Sequence, residues 1–175
     1  MFINLQFSIF NLHFQLRRLG FISILGMIVF FLYPASVFGT EIYIPALTGT
    51  TGQSIEIPIK IDQIDNLAGV KIVLKYDSEL LKFKKAVKTN HTSSLMHIVN
   101  DKNPGLLIVV MAGAKGIKGE DFSILNLFFD IKPGLKADQT TQLKITESQL
   151  MSDQLKDLKH TISIKPIVIK SPSFN

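Results

Sequence analysis

Short segments in which apolar and polar residues alternate constrain this chain more than any other feature. They include residues 51–61 (TGQSIEIPIKI), 68–77 (AGVKIVLKYD) and 123–134 (SILNLFFDIKPG). Because successive side chains of a β-strand point to opposite sides, strict alternation predicts strands with one buried and one exposed face. About nine such strands, separated by turn residues, predict an all-β fold, an antiparallel β-sandwich with jelly-roll topology.

The connections between the predicted strands are marked by turn-forming residues. Residues 62–66 are predicted to form a loop, and residues 113–121 (GAKGIKGED) a glycine-rich loop. Two late strands are predicted at residues 142–146 and 161–169. The polar stretch between them, residues 148–160, is predicted to hold a short helix or an irregular loop.

The N-terminal segment, residues 1–39, has the pattern of a secretory signal. Arg17 and Arg18 precede the apolar run 19–32, and small residues follow it up to Gly39. Basic residues, a short apolar stretch and a small-residue cleavage site together make up a secretory signal peptide. The sequence therefore predicts export, to a secreted, periplasmic or cell-surface location.

Cleavage after Gly39 would leave a single domain at residues 40–170 and a loose tail at 171–175. Pro34 breaks the apolar run before it reaches the about 20 residues that a spanning helix needs. An uncleaved membrane anchor is the alternative, and it is the only membrane contact that the sequence predicts.

Charge and cysteine content exclude several functions. Arg17 and Arg18 are the only arginines, so their removal lowers the net charge from +5 to +3. The remaining lysines are scattered along the predicted strands, which is typical of solvated strand faces and predicts no nucleic-acid partner. The chain contains no cysteine. Disulfides, thiolate metal sites and cysteine nucleophiles are therefore excluded.

No catalytic constellation is evident, so the sequence predicts a protein that is not an enzyme and needs no cofactor. Beyond residue 39 the histidines are His91, His97 and His160, and none has metal-type spacing. Six acidic residues are predicted to lie in turns, and a calcium ion bridging such loop carboxylates is the one metal alternative: Asp62, Asp65, Asp77, Glu79, Glu120 and Asp121. Tryptophan is absent and Tyr76 is predicted to be buried, which argues against a flat aromatic sugar-binding face.

Three motifs resemble those of cohesin domains and occur in the same order along the chain. They are residues 52–59 (GQSIEIPI), residues 69–77 with the leucines that follow, and residues 119–134 with a glycine-rich approach and a Lys-Pro-Gly exit. The resemblance covers roughly residues 41–169. It implies a nine-stranded jelly roll that binds a dockerin-like protein module, as in polysaccharide-degrading assemblies of the cellulosome type. A carbohydrate-binding module of the same fold and a self-associating envelope domain are the alternatives.

The resemblance further implies that the partner docks on one flat sheet face, built from the outward residues of the third, fifth, sixth and eighth strands. With residues 123–131 taken as the eighth strand, the alternation of inward and outward residues along each strand predicts which side chains lie on this face. The outward residues are then Lys71, Val73, Lys75, His97, Val99, Ile108, Val110, Ile124, Asn126, Phe128 and Asp130. An apolar centre with a charged rim is typical of protein interfaces. The alternative is that a loop or helix covers this face and makes it a second core.

Overall fold

The computed structural model describes residues 39–134 and 138–171. The chain divides into two units, Met1–Phe38 and Gly39–Asn175. The first unit, and with it the predicted signal, lies outside the described residues, as does the predicted tail beyond residue 171. Within the described ranges, no helix is long and apolar enough to cross a membrane.

Ten β-strands make up the described part of the second unit, and the predicted all-β jelly-roll sandwich is confirmed. The strands are β1 (Thr40–Ile44), β2 (Leu47–Thr50), β3 (Ser54–Lys75), β4 (Leu81–Lys88), β5 (Met96–Asn100), β6 (Leu106–Ile131), β7 (Gln139–Thr141), β8 (Lys144–Met151), β9 (His160–Ile164) and β10 (Ile167–Lys170).

Two long strands, β3 and β6, pair antiparallel along almost their whole length, from Ser54 opposite Asp130 to Lys75 opposite Leu106. The predicted loops at 62–66 and 113–121 are therefore wrong. These two segments are the middle of the strands and pair with each other.

Irregular pairing explains why turn-forming residues occur within continuous strands. The β3–β6 register shifts between Ile64 and Leu67 and again between Leu67 and Gly69. Asn66 adopts a positive φ of 66°, and a Cβ added to Gly116 would lie 1.7 Å from its side-chain oxygen. The asparagine and the glycine thus permit a bulge and a close backbone approach, which a sequence pattern does not distinguish from a loop.

The β3–β6 ribbon folds over on itself. Phe129 pairs with Ile55 near the start of β3, yet its ring centroid lies 5.0 Å from that of Tyr76, just beyond the end of β3. A straight strand would separate the two ends of β3 by about 65–70 Å. The ribbon therefore contributes to both layers of the sandwich.

The two layers have different strands at their edges. We define the front layer as β5, residues 106–112 of β6, residues 69–75 of β3, and β8. The back layer is β4, residues 122–131 of β6, residues 54–61 of β3, β1 and β9. The predicted helix or irregular loop at 148–160 is wrong at its start, because β8 extends to Met151.

The core lies between these layers. Ile57 and Ile59 of the back layer and Ile72 and Leu74 of the front layer are almost fully buried in one cluster. A separate three-stranded sheet, β2-β10-β7, adds further buried isoleucines. β1 with β9, and β2 with β10, pair in parallel, so the predicted antiparallel arrangement does not hold for the first and last strands.

Truncation of Phe129 tests the contact between the layers. The centroid of its buried ring lies 5.0 Å from that of Tyr76 and 5.5 Å from that of Phe83, and both ring pairs have edge-to-face geometry. We expect Phe129→Ala to lower the free energy of unfolding by about 3–5 kcal/mol, because it leaves a cavity and removes both aromatic contacts. Urea unfolding measures the loss. Val87→Ala, at an exposed position of β4, should change stability by less than about 1 kcal/mol. Equal effects of the two variants would contradict the role of Phe129.

Candidate functional site

The outer surface of the front layer, which we call the front face, is built from rows of paired residues. Directly opposite residues of antiparallel strands point to the same side of a sheet, so the pairings give each row. From β8 across β3 and β6 to β5, the rows are Lys144, Lys75 and Leu106; Glu147, Val73, Ile108 and Asn100; Gln149, Lys71, Val110 and Ile98; and Met151, Gly69, Ala112 and Met96.

The front face changes in character from one edge to the other. At the β5 edge Met96 is 76% and Ile98 71% exposed, and the neighbouring Val110 is 41% exposed. At the β8 edge the residues are mostly polar, and Lys71 forms an ion pair with Glu147 at 2.5 Å. Exposed apolar side chains clustered beside charged ones are typical of interaction surfaces.

Five predicted site residues lie together on this face: Lys71, Val73, Lys75, Ile108 and Val110. Their predicted outward orientation is confirmed, because the inward partners between them, such as Ile72 and Val109, are buried. Their role in binding stays a prediction.

On β5 the predicted orientation is wrong. His97 pairs with Met111 and Val99 with Val109, and both partners are buried in the core. His97 and Val99 therefore point inward, and Val99 packs against the core. The sequence reasoning missed Met96 and Ile98 because the short strand MHIVN has no regular alternation to fix which side is buried.

Ile124 is also predicted outward but is fully buried, at 0% exposure. Lys60 pairs with Ser123 while Ile59 pairs with Leu125, so Ile124 is the extra residue of a β-bulge. The bulge reverses the alternation along β6, so that Ile124 and Leu125 are both buried.

Asn126, Phe128 and Asp130 do point outward, but from the back layer. They pair with Pro58, Glu56 and Ser54 in the first part of β3. The prediction placed them on the front face because residues 123–131 were taken as the strand that completes this layer. β8 takes that position, and its contribution, Glu147, Gln149 and Met151, was missed.

The three misplaced residues have local partners on the back layer, and the Asn126 amide donates a hydrogen bond to Glu56 at 2.6 Å. Asp130 accepts hydrogen bonds from the Ser54 hydroxyl at 2.5 Å and from the Lys84 ammonium at 3.1 Å. These contacts, the hydroxyl first, lower the pKa of Asp130 below its usual value. The Lys85 ammonium lies 5.1 Å from the centroid of the Phe128 ring.

The geometry can be compared with two alternatives, a front face that is covered as a second core and a metal site. The high exposure of Met96 and Ile98 shows that no described residue covers the β5 edge, so this part of the front face is not a second core. For a metal, no group of three or more histidine, aspartate and glutamate side chains with suitable placement occurs in residues 39–134 and 138–171.

Single cysteine variants can test these orientations, because the chain has no cysteine of its own. We expect Ile98→Cys and Val110→Cys to react with a thiol reagent at rates close to those of a free thiol. Ile124→Cys should react at least about tenfold more slowly in the native protein, because Ile124 is fully buried and reagent access there requires local opening. Val99→Cys, at a partly buried position, should react at an intermediate rate. All four should react alike in urea. Fast native labelling of Ile124→Cys would contradict the bulge.

The fold matches solved cohesin structures. A non-cellulosomal cohesin from Archaeoglobus fulgidus superposes with a TM-score of 0.65 at 16% identity, over 77% of this chain and 92% of that one. The cohesin in a type I cohesin–dockerin complex from Clostridium thermocellum gives 0.65 and 16%, over 77% and 96%. A cohesin module of a family 33 glycoside hydrolase from Clostridium perfringens gives 0.63 and 14%, over 77% and 97%.

Among curated proteins no significant match is found. The family model for the cohesin domain, in contrast, matches residues 40–169, which is nearly the whole described part of the chain. The extent of this match and the jelly-roll architecture agree, and on both grounds the chain belongs to the cohesin domain family.

Proposed function

We propose that this protein is a non-catalytic binding module whose front face docks a dockerin-like protein. The observation that carries the proposal is the exposed apolar edge of that face, formed by Met96, Ile98 and Val110. Cohesin modules are non-catalytic binding domains, and matched cohesins were solved with dockerins bound.

The front face also suits binding on physical grounds. Its two central strands are hydrogen-bonded on both sides, so little backbone freedom is lost on association. The apolar side chains at the β5 edge would gain about 25 cal/mol for each Å² of surface that a partner removes from water. Methionine at position 96 can adapt its flexible side chain to the shape of the partner.

A protein partner fits this face better than a polysaccharide does. Sugar rings stack on exposed aromatic side chains, and none of the residues in the rows of the front face is aromatic. Membership in a polysaccharide-degrading assembly would then come through the partner, if its dockerin is attached to a hydrolase.

Dockerin modules encoded in the same genome are the direct test. We expect the full-length protein to retain at least one of them in a pull-down, and not to be retained on insoluble cellulose. Retention on cellulose alone would favour the carbohydrate-binding alternative. A molecular mass that rises with concentration, without dockerin binding, would favour a self-associating envelope domain.

Matched substitutions on the two faces locate the binding surface. We expect Val110→Asp to weaken dockerin binding at least about tenfold, because it places a charge among the apolar side chains that a partner would remove from water. Val87→Asp is the control, since Val87 is 39% exposed against 41% for Val110 but lies on the back layer. It should leave affinity unchanged. Equal losses from the two variants, with both proteins folded, would place the interface elsewhere.

Export is part of the proposal, and it rests on the sequence of residues 1–39. We expect the mature protein to begin at Thr40, as N-terminal sequencing of the secreted form would show. A substitution of Gly39→Arg should block processing, because the residue before the cut must be small. A mature protein that keeps residues 1–39 would instead indicate an uncleaved anchor.

A further inference from the structure

Two neighbouring lysines lie at one corner of the front face. Lys75 of β3 and Lys144 of β8 are directly opposite each other and both are exposed. Their Cβ atoms are expected to be about 5 Å apart at such a pair. Within residues 39–134 and 138–171, neither side chain has an ion pair or a hydrogen bond.

Four other strand lysines each contact a carboxylate: Lys60 with Asp121, Lys71 with Glu147, Lys84 with Asp130, and Lys170 with Asp138. Lys82, Lys115 and Lys118 have no such contact among the described residues, but none of the three is paired with another lysine. Like charges directly opposite in a sheet repel each other, so the Lys75–Lys144 pair destabilises the free protein slightly. An anionic group bound between the two ammonium groups would remove this repulsion.

The lysine corner lies at a defined distance from the exposed apolar residues of the front face. Lys75 lies four to six residues along the sheet and two strands away from the exposed apolar residues Ile98 and Met96. With about 3.3 Å per residue and about 4.8 Å per strand, the separation is about 16–22 Å. That distance corresponds to about 11–15 residues of an α-helix.

We propose that Lys75 and Lys144 bind carboxylate side chains of the partner, an inference that rests on the proposed docking at the front face. The partner's docking surface carries apolar residues about 16–22 Å from aspartate or glutamate, and where that surface is a helix they lie at its opposite ends. The apolar end lies over β5 and the acidic end over β3 and β8, so the lysine corner fixes the direction in which the partner binds.

The side chains of the corner favour carboxylates over phosphate groups. Both charges are lysine ammonium groups, and the described residues contain no arginine, the side chain that binds phosphate through two parallel hydrogen bonds. The apolar side chains on the same face also suit a protein helix better than a nucleic acid.

A library of displayed dockerin modules, randomised on the outer surface of their helices, tests the inference without a known partner. We expect selection on the full-length protein to enrich apolar residues at one end of the helix and aspartate or glutamate about 11–15 positions away. Selection on the double variant Lys75→Glu/Lys144→Glu should enrich dockerins with lysine or arginine at the positions where the original protein enriches acidic residues. The enriched apolar residues should be the same in both selections.

Affinity measurements on one selected clone make the result quantitative. We expect Lys75→Gln/Lys144→Gln to raise Kd about 3- to 30-fold and to reduce the dependence of Kd on salt. Lys82→Gln/Lys85→Gln removes the same charge from β4 in the back layer, at positions paired with Asp130 and Phe128. This control should leave Kd and its salt dependence unchanged.

The outcomes separate the two proposals. Clones that lose binding with Val110→Asp but are indifferent to Lys75→Gln/Lys144→Gln would overturn the lysine inference and leave front-face docking intact. Clones indifferent to Val110→Asp would overturn front-face docking itself. Retention of the protein on anionic lipid vesicles or duplex DNA, abolished by Lys75→Gln/Lys144→Gln, would also overturn the choice of a carboxylate partner.

Discussion

The pairing of β3 with β6 is the interaction on which the rest of the structure depends. These strands run antiparallel through both layers, and every other strand of the seven-stranded sheet joins one of them directly or through β1. Bulges in the pairing let the ribbon fold over and bring Tyr76 against Phe129. One set of backbone hydrogen bonds thus holds together both halves of the sandwich.

The same ribbon gives the two outer faces different chemistry. On the back layer the outward residues of β3 and β6 contact each other, as in the hydrogen bond from the Asn126 amide to Glu56 at 2.6 Å. On the front layer the apolar β5 edge and the Lys75–Lys144 corner have no such partners among the described residues. A surface that leaves both apolar area and charge unsatisfied gains most from a partner, which is why we place binding there.

The candidate site was predictable where a strand is central and regular. The outward orientation of Lys71, Val73 and Lys75 was predicted correctly, because the alternation in residues 69–76 is strict. The prediction failed where the pairing is irregular or the strand is short. Ile124 is the extra residue of a bulge, His97 and Val99 lie on a five-residue edge strand, and residues 126–130 were assigned to the wrong layer.

The sequence by itself determined the class of fold, the regular strands and the family, because alternation and motif order are local properties that any single chain displays. Only the tertiary structure decided which outward residues share a face. That choice depends on the register between strands distant in the chain, and one extra residue, such as Ile124, reverses the side to which the neighbouring residues point. The front face combines β8, β3, β6 and β5, an order that pairing across the sheet creates.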